Sequence, residues 1–270
     1  MSRNNNPVSD TEIIVKAKQF GAYLAGIAGV EALKKSPSDV IYGKLGVFEG
    51  IMPKDPDKVK ATEVVWPAGA RSAVVIAVEH PEDRPDLDWW QAELKGGTPG
   101  NRILMDVSSR LTRWLQEKAG IKAWGLPYHI ENGGIFLKDA AVLAGLGCIG
   151  KNNMLITPLC GPKVRLRTVL LDIDLPATGP IDYDPCMGCP MPCTKACPRN
   201  AFQCKIYSKE KLGLDHLPGR TGTYSRDLCN KQMKADLSSS ESVAESDLDQ
   251  TDRRIKYCRR CELECPVGRD

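Results

Sequence analysis

The sequence predicts a two-part chain: an α/β (α+β) domain over residues 1–181, followed by a cysteine-rich module over residues 182–270. Three observations carry this. Apolar runs of strand length alternate with stretches of helical periodicity up to residue 181. From residue 182 Pro, Cys and basic residues replace the apolar runs. Of the eleven cysteines, nine lie after residue 185, crowded around two C-x-x-C units.

The elements follow in order. Asp10 and Thr11 are placed to cap a helix whose apolar residues Ile13, Ile14, Ala17 and Phe20 recur at helical spacing. "AYLAGIAG" and "RSAVVIAVEH" read as buried strands. "MDVSSRLTRWLQEKAG" puts Val107, Leu111, Trp114 and Leu115 on one helical face and stops at Gly120. "KAWGLPYHI" reads as extended, "LKDAAVLAGLG" as an Ala-rich helix with Asp139 facing solvent, and "NMLITP" and "RLRTVLLDIDLP" as further strands. Beyond them, residues 199–234 carry eight Lys/Arg against three Asp/Glu. Residues 235–252 carry six acidic residues, five serines and no base, the composition of a solvated loop.

Composition bounds the function. With a net charge of +3, no strong global field steers the chain to nucleic acid or membrane. The polar start MSRNNNPVSD lacks a signal-peptide core, and the eleven uncharged residues from Ala140 to Gly150 are too few to cross a bilayer. A cytoplasmic protein is expected, and in that compartment crowded C-x-x-C units point to metal rather than disulfides.

"AGLGCIGKNN" spells G-x-G-x-x-G with Gly145, Gly147 and Gly150, and nearly spells a P-loop with Gly145, Gly150 and Lys151. Both motifs need a strand before the glycines and a helix after them. Here the order is reversed, and Asn152 stands where a P-loop needs a hydroxyl. Neither nucleotide reading holds.

"CMGCPMPCTKACP" sets Cys186, Cys189, Cys193 and Cys197 in C-x2-C-x3-C-x3-C-P, and "CRRCELECP" sets Cys258, Cys261 and Cys265 in C-x2-C-x3-C-P. Cys229 supplies an eighth thiol. In two-cluster ferredoxins the last cysteine of each motif crosses to the other cluster. That order assigns Cys186, Cys189, Cys193 and Cys265 to one 4Fe-4S cluster, and Cys197, Cys229, Cys258 and Cys261 to the other. The additional residue between Cys189 and Cys193 departs from the ferredoxin spacing. Four-thiolate zinc sites are the competing reading. Cys148, Cys160 and Cys204 fall outside both sets and are expected as small buried side chains.

"KDAAVLAGLGCIGKNNMLITP", followed by the two cysteine motifs, resembles the epoxyqueuosine reductase family, cobalamin- and iron–sulfur-dependent enzymes related to reductive dehalogenases. The resemblance covers about residues 10–268. It implies a nitroreductase-like cobalamin-binding domain, then a ferredoxin-like domain with two 4Fe-4S clusters. It also implies that Gly145, Gly147, Cys148, Gly150, Lys151, Asn152, Asn153 and Leu155 lie against the corrin. The resemblance further implies base-off cobalamin without a protein histidine ligand, and the sequence agrees: of His80, His129 and His216 only His216 has a glycine three residues on, and Leu214 replaces the Asp of D-x-H-x-x-G. The family's proton donor, an Asp about fourteen residues before the first glycine of the run, corresponds to Glu131, with His129 nearby as a further relay group.

The implied activity is cobalamin-dependent reduction of a small molecule or modified nucleoside, with ferredoxin or flavodoxin as electron donor. The alternative is a redox carrier or corrinoid reductase without a substrate of its own, and a flavin in place of the corrin is a third reading. The family's tRNA-modifying members carry a helical-repeat extension after the clusters. This chain ends at Asp270, five residues after Cys265, so tRNA is the less expected partner. No membrane partner is expected.

Overall fold

A computed structural model describes residues 7–42, 64–91, 94, 97–240, 242–243 and 252–269. In chain order the elements are α1 (Asp10–Gln19), β1 (Leu24–Gly29), α2 (Val30–Lys34), α3 (Pro37–Ile41), β2 (Ser72–Glu79), β3 (Trp90–Gln91), α4 (Pro99–Ala119), β4 (Ala123–Gly125), α5 (Leu137–Leu143), β5 (Cys148–Ile149), β6 (Leu155–Ile156), β7 (Val164–Leu171), α6 (Pro192–Lys195), α7 (Lys209–Leu212), α8 (Arg226–Ser238), β8 (Ser242–Val243), β9 (Asp252–Ile255) and α9 (Arg260–Leu263).

The centre is a four-stranded sheet in the order β1-β2-β7-β4, and every pairing in it is antiparallel. Alternation along the strands divides two cores. Ala73, Val75 and Ala77 face one side with Leu166 and Leu170, packed against α2 and α5. Val74, Ile76 and Val78 face the other with Val169 and Leu171, packed against α1 and α4. Both faces are covered, which explains why β2 reads as an unbroken apolar run rather than an alternating one.

Helix ends follow local chemistry. Ser9, rather than Asp10 or Thr11, caps α1, accepting from the Glu12 amide at 3.1 Å. Helix α4 begins earlier than its periodicity predicts, because Thr98 caps it and Pro99 fits its first turn; it stops at Gly120, which adopts φ +65°. The serine-rich acidic stretch is not a plain loop where it is described. Residues up to Ser238 continue α8, which Ser225 caps, and β8 pairs with β9. β9 in turn pairs with β3, with Trp90 opposite Ile255, so the C-terminal part of the chain returns to its N-terminal part.

Candidate redox site

The site is built from a hairpin and two cysteine-bearing segments. The glycine run turns from α5 into the antiparallel pair β5–β6. Its glycines are required by the protein's own packing. A Cβ at Gly147 would lie 2.1 Å from the Ile156 carbonyl oxygen, one at Gly145 2.6 Å from the Thr178 carbonyl oxygen, and one at Gly150 2.6 Å from Ile156 Cγ1. Close packing against Thr178 and Ile156 thus already leaves no space for a Cβ at these three positions. Asn152 is 3 % exposed and occupied at both ends, with Nδ2 donating to the Cys261 carbonyl at 3.0 Å and Oδ1 accepting from the Met154 amide. Leu155 is buried in the core. Of the eight residues, Gly145, Cys148, Lys151 and Asn153 keep part of their surface exposed.

Asn153, at φ +59°, is held by Lys138, whose Nζ donates to the Asn153 carbonyl at 2.6 Å and to Oδ1 at 2.9 Å. Burial pulls the Lys138 ammonium down to about 8. Nothing in the sequence marks Lys138 beyond its place on a helix that leads into the run.

The first cysteine segment absorbs its additional residue by geometry. Met191 takes φ +57°, which lets Pro192 open α6 one residue later and puts Cys193 in its first turn. Cys193 and Cys265 are buried together with Ile156, and Cys148, Met154 and Tyr183 pack on them. Burial pushes the Cys193 thiol up to about 11, with Cys265, Cys186 and Cys189 adding to the rise. Burial also raises Cys265, as do Cys186 and Cys189, while Arg269 opposes. The second set behaves alike. Burial pushes Cys261 up to about 12, reinforced by Cys229, Cys258, Glu262 and Cys197. Cys258 is raised by burial, then by Asp236, Cys229 and Cys197. Cys186 and Cys189 thus act on both Cys193 and Cys265, and Cys197 and Cys229 on both Cys258 and Cys261. Among the described residues no three His, Cys, Asp or Glu side chains converge on a single ion.

Backbone amides point at two of the sulfurs: Ala201 N–H to Cys197 Sγ at 3.3 Å, and Met191 N–H to Cys189 Sγ at 3.5 Å. Four thiols with amide donors form a donor set that fits an iron–sulfur cluster. For a corrin the fit is narrower, confined to the half-exposed side of the hairpin.

A buried ion network locks α9 to the sheet. Arg165 on β7 makes a two-pronged contact with Glu262, at 3.3 and 2.9 Å, and also reaches Asp88 at 2.9 Å. Arg259 bridges the same two carboxylates at 2.7 and 2.5 Å, and donates to the His80 carbonyl. His80, fully buried, places Nδ1 2.8 Å from Asp88. Burial alone would raise the Asp88 carboxyl, but His80, Arg165 and Arg259 hold it below its ordinary value. A cleft of about 290 Å³ beside this network is lined by Asp88, Trp89, Lys256 and Arg259 and by none of the hairpin residues. On the opposite cysteine set, Arg220 ties the hairpin to the first segment, donating to the Ile149 carbonyl at 3.2 Å and to Asp184 at 2.5 Å. Spacing gives no hint of these long-range pairs. Glu262 alone had a readable sign, an acid enclosed within a cysteine motif.

Three expectations change. Asp139 is 6 % exposed rather than solvated, because its Oδ2 accepts from the Ser38 amide at 3.0 Å and so holds α3 to α5. Cys204 is exposed, on a turn outside the packed elements, and Cys148 is half-buried; Cys160 alone of the three is buried, its Sγ 3.2 Å from Thr157 Oγ1. Glu131 lies on the single turn Ile130–Asn132, closed by Gly133 at φ +96°, and its side chain is outside the described residues. His129 is exposed, its ring edge-on to Tyr128 at 5.1 Å.

No family model matches the chain. Curated relatives do. The epoxyqueuosine reductase of Gloeobacter violaceus is 29% identical over 198 residues, 71% of this chain and 60% of the relative. That of Bacillus cereus is 25% identical over 200 residues, 71% of this chain and 51% of the relative. That of a Synechococcus species is 31% identical over 151 residues, 55% of this chain and 46% of the relative. The chain therefore spans 46–60% of the length of these relatives.

Among solved structures, epoxyqueuosine reductase from Streptococcus thermophilus superposes with a TM-score of 0.59 at 19% identity, over 96% of this chain and 66% of that one. An epoxyqueuosine reductase bound to a modified tRNA-Tyr stem loop gives 0.60 at 21%, over 96% and 64%. A catabolic reductive dehalogenase in complex with 3-bromo-4-hydroxybenzoic acid gives 0.64 at 18%, over 100% and 33%. The resemblance read from the motifs is borne out, and the mixed α/β fold is that of epoxyqueuosine reductases and reductive dehalogenases. These relatives are, by name, oxidoreductases. No helix among the described residues is long and apolar enough to cross a membrane.

Proposed function

We propose that the chain is a cobalamin-dependent iron–sulfur reductase of the epoxyqueuosine reductase type. Its first part is nitroreductase-like, its second ferredoxin-like. The observation that carries this reading is the convergence of both cysteine motifs on one hairpin, with Cys193 and Cys265 buried against Ile156 and the Cys261 carbonyl bound by Asn152. Cys186, Cys189, Cys193 and Cys265 would hold one 4Fe-4S cluster, and Cys197, Cys229, Cys258 and Cys261 the second. When bound, the clusters supply one-electron steps and base-off cobalamin supplies a strongly reducing, nucleophilic cobalt.

The chain's own residues bind and orient. The Met191 and Ala201 amides steady two thiolates, and Asn152 fixes the hairpin to the second cysteine motif. Cys148, Lys151 and Asn153, with Gly145, are the hairpin surface left to meet corrin amides, and Lys138 sets the Asn153 turn. Glu131 is the proposed proton donor to substrate, on a loop turn that Gly133 closes. The substrate class is an organic molecule with a reducible epoxide or halide bond. Epoxyqueuosine in tRNA is the first to try, and a ferredoxin or flavodoxin is the electron donor.

Titrating anaerobic protein with cob(II)alamin tests this. Binding with loss of the axial nitrogen splitting in the electron paramagnetic resonance spectrum is the expected result. Retained splitting, no binding, or flavin bands in the purified protein would each contradict it.

A further inference from the structure

The two thiol groups differ in the charges around them. Asp236 on α8 reaches the second group directly, its Oδ2 accepting from the Cys258 amide at 2.8 Å. Its other oxygen accepts from Gln232 Nε2 at 2.8 Å, so both oxygens are held by neutral donors and the negative charge stands uncompensated by these contacts. Glu262, 3 % exposed, follows Cys261 in the chain and faces the same group, its charge shared between Arg165 and Arg259. Both carboxylates are felt by ligand thiols, Asp236 at Cys258 and Glu262 at Cys261.

In the first group Asp184 likewise meets a ligand amide, its Oδ1 accepting from Cys186 at 3.0 Å, but there the carboxylate is neutralised by an arginine. Arg269 eases the charge on Cys265, and Arg220 stands beside Cys148 and Cys186. The nearby Asp184 is paired to Arg220 at 2.5 Å, and Arg269 is itself within 4.0 Å of Glu82 and 3.6 Å of Glu264. A cluster gains negative charge on reduction, so an adjacent anion lowers its potential and an adjacent cation raises it.

We propose that Asp236, seconded by Glu262, holds the cluster on Cys197, Cys229, Cys258 and Cys261 at a lower reduction potential than the cluster on Cys186, Cys189, Cys193 and Cys265. Electrons then run downhill toward the first group, which packs against the hairpin through Cys148 and Ile156. The inference rests on the cluster reading above and deepens it by giving the two sites an order.

An anaerobic redox titration followed by electron paramagnetic resonance, on the cluster-loaded full chain without cobalamin, tests it. The unaltered protein should show two midpoints. Asp236→Asn keeps an oxygen for the Cys258 amide and removes the charge. It should raise the lower midpoint by roughly tenfold in the reduced-to-oxidised ratio, about 59 mV, and leave the upper one in place. Asp236→Glu should restore the lower midpoint. Glu262→Gln should move the same midpoint in the same direction, and it carries the test if Asp236→Asn loses iron. A single midpoint in the unaltered protein, movement of the upper midpoint, or no movement would overturn the ordering. Iron and acid-labile sulfide measured on the same samples separate the two readings. Their absence from the unaltered protein removes the clusters, whereas their presence with unmoved midpoints removes this inference alone.

Discussion

Gly147 shows how one residue can be legible in type and not in reason. The G-x-G-x-x-G spacing marks it, and the family resemblance sets it against a corrin. In the fold its Cα faces the Ile156 carbonyl across a two-residue-long hairpin pair, and a Cβ would stand 2.1 Å from that oxygen. Gly147→Ala should therefore destabilise cobalamin-free protein by about 1–3 kcal/mol, the usual cost of overpacking. Thermal unfolding without cobalamin checks this, and an unchanged midpoint would return the glycine to a ligand-facing role. Lys138 and Asp236 show the opposite case. Their partners, Asn153 and Cys258, lie 15 and 22 positions away, separations that no helical or strand period encodes. A sequence identifies metal-ligand cysteines because their spacing is local. It does not identify the charges set around them, which the tertiary fold brings in.

At the scale of elements, α3 and α5 meet through two carboxylates. Asp139 caps α3 by accepting from the Ser38 amide, and Asp39 on α3 lies close enough for the two charges to repel. Burial raises the Asp39 carboxyl to about 6, with Asp139 adding to the rise and Lys34 opposing it. A carboxyl whose folded value lies above its unfolded value binds more protons in the folded state, so stability falls as pH rises from about 4 through about 6. Asp39→Asn should flatten that slope and gain stability relative to the parent above pH 6, as read by denaturant midpoints across the window. An unchanged slope would contradict the pairing. The elements themselves were largely legible: β2, β7, α4 and α5 lie where apolar periodicity and glycine stops put them. The strand directions were not. An alternation of helices and strands suggests parallel crossovers, whereas the sheet is antiparallel throughout, because its pairing partners are fixed by which apolar faces close the two cores.

Across the whole molecule, the cysteine-rich part is tied into the sheet domain. β9 pairs with β3, Asn152 holds the Cys261 carbonyl, and Arg165 and Arg259 bridge Asp88 and Glu262. Removing one partner from a buried ion network strands the others, so these contacts fix where α9 can sit. The composition break at residue 182 is visible in the sequence, but the ties across it come from residues such as Arg165 and Asp88, 77 positions apart and within the first part. Two cysteine motifs that meet one hairpin, through Cys193 and Cys265 at Ile156 and through Cys261 at Asn152, are the core of the functional account. Iron, acid-labile sulfide and zinc measured together on anaerobically prepared protein test it most directly. The account predicts about eight irons and eight sulfides per chain, unchanged when Cys148, Cys160 or Cys204 is replaced by Ala. Stoichiometric zinc with no labile sulfide would contradict it.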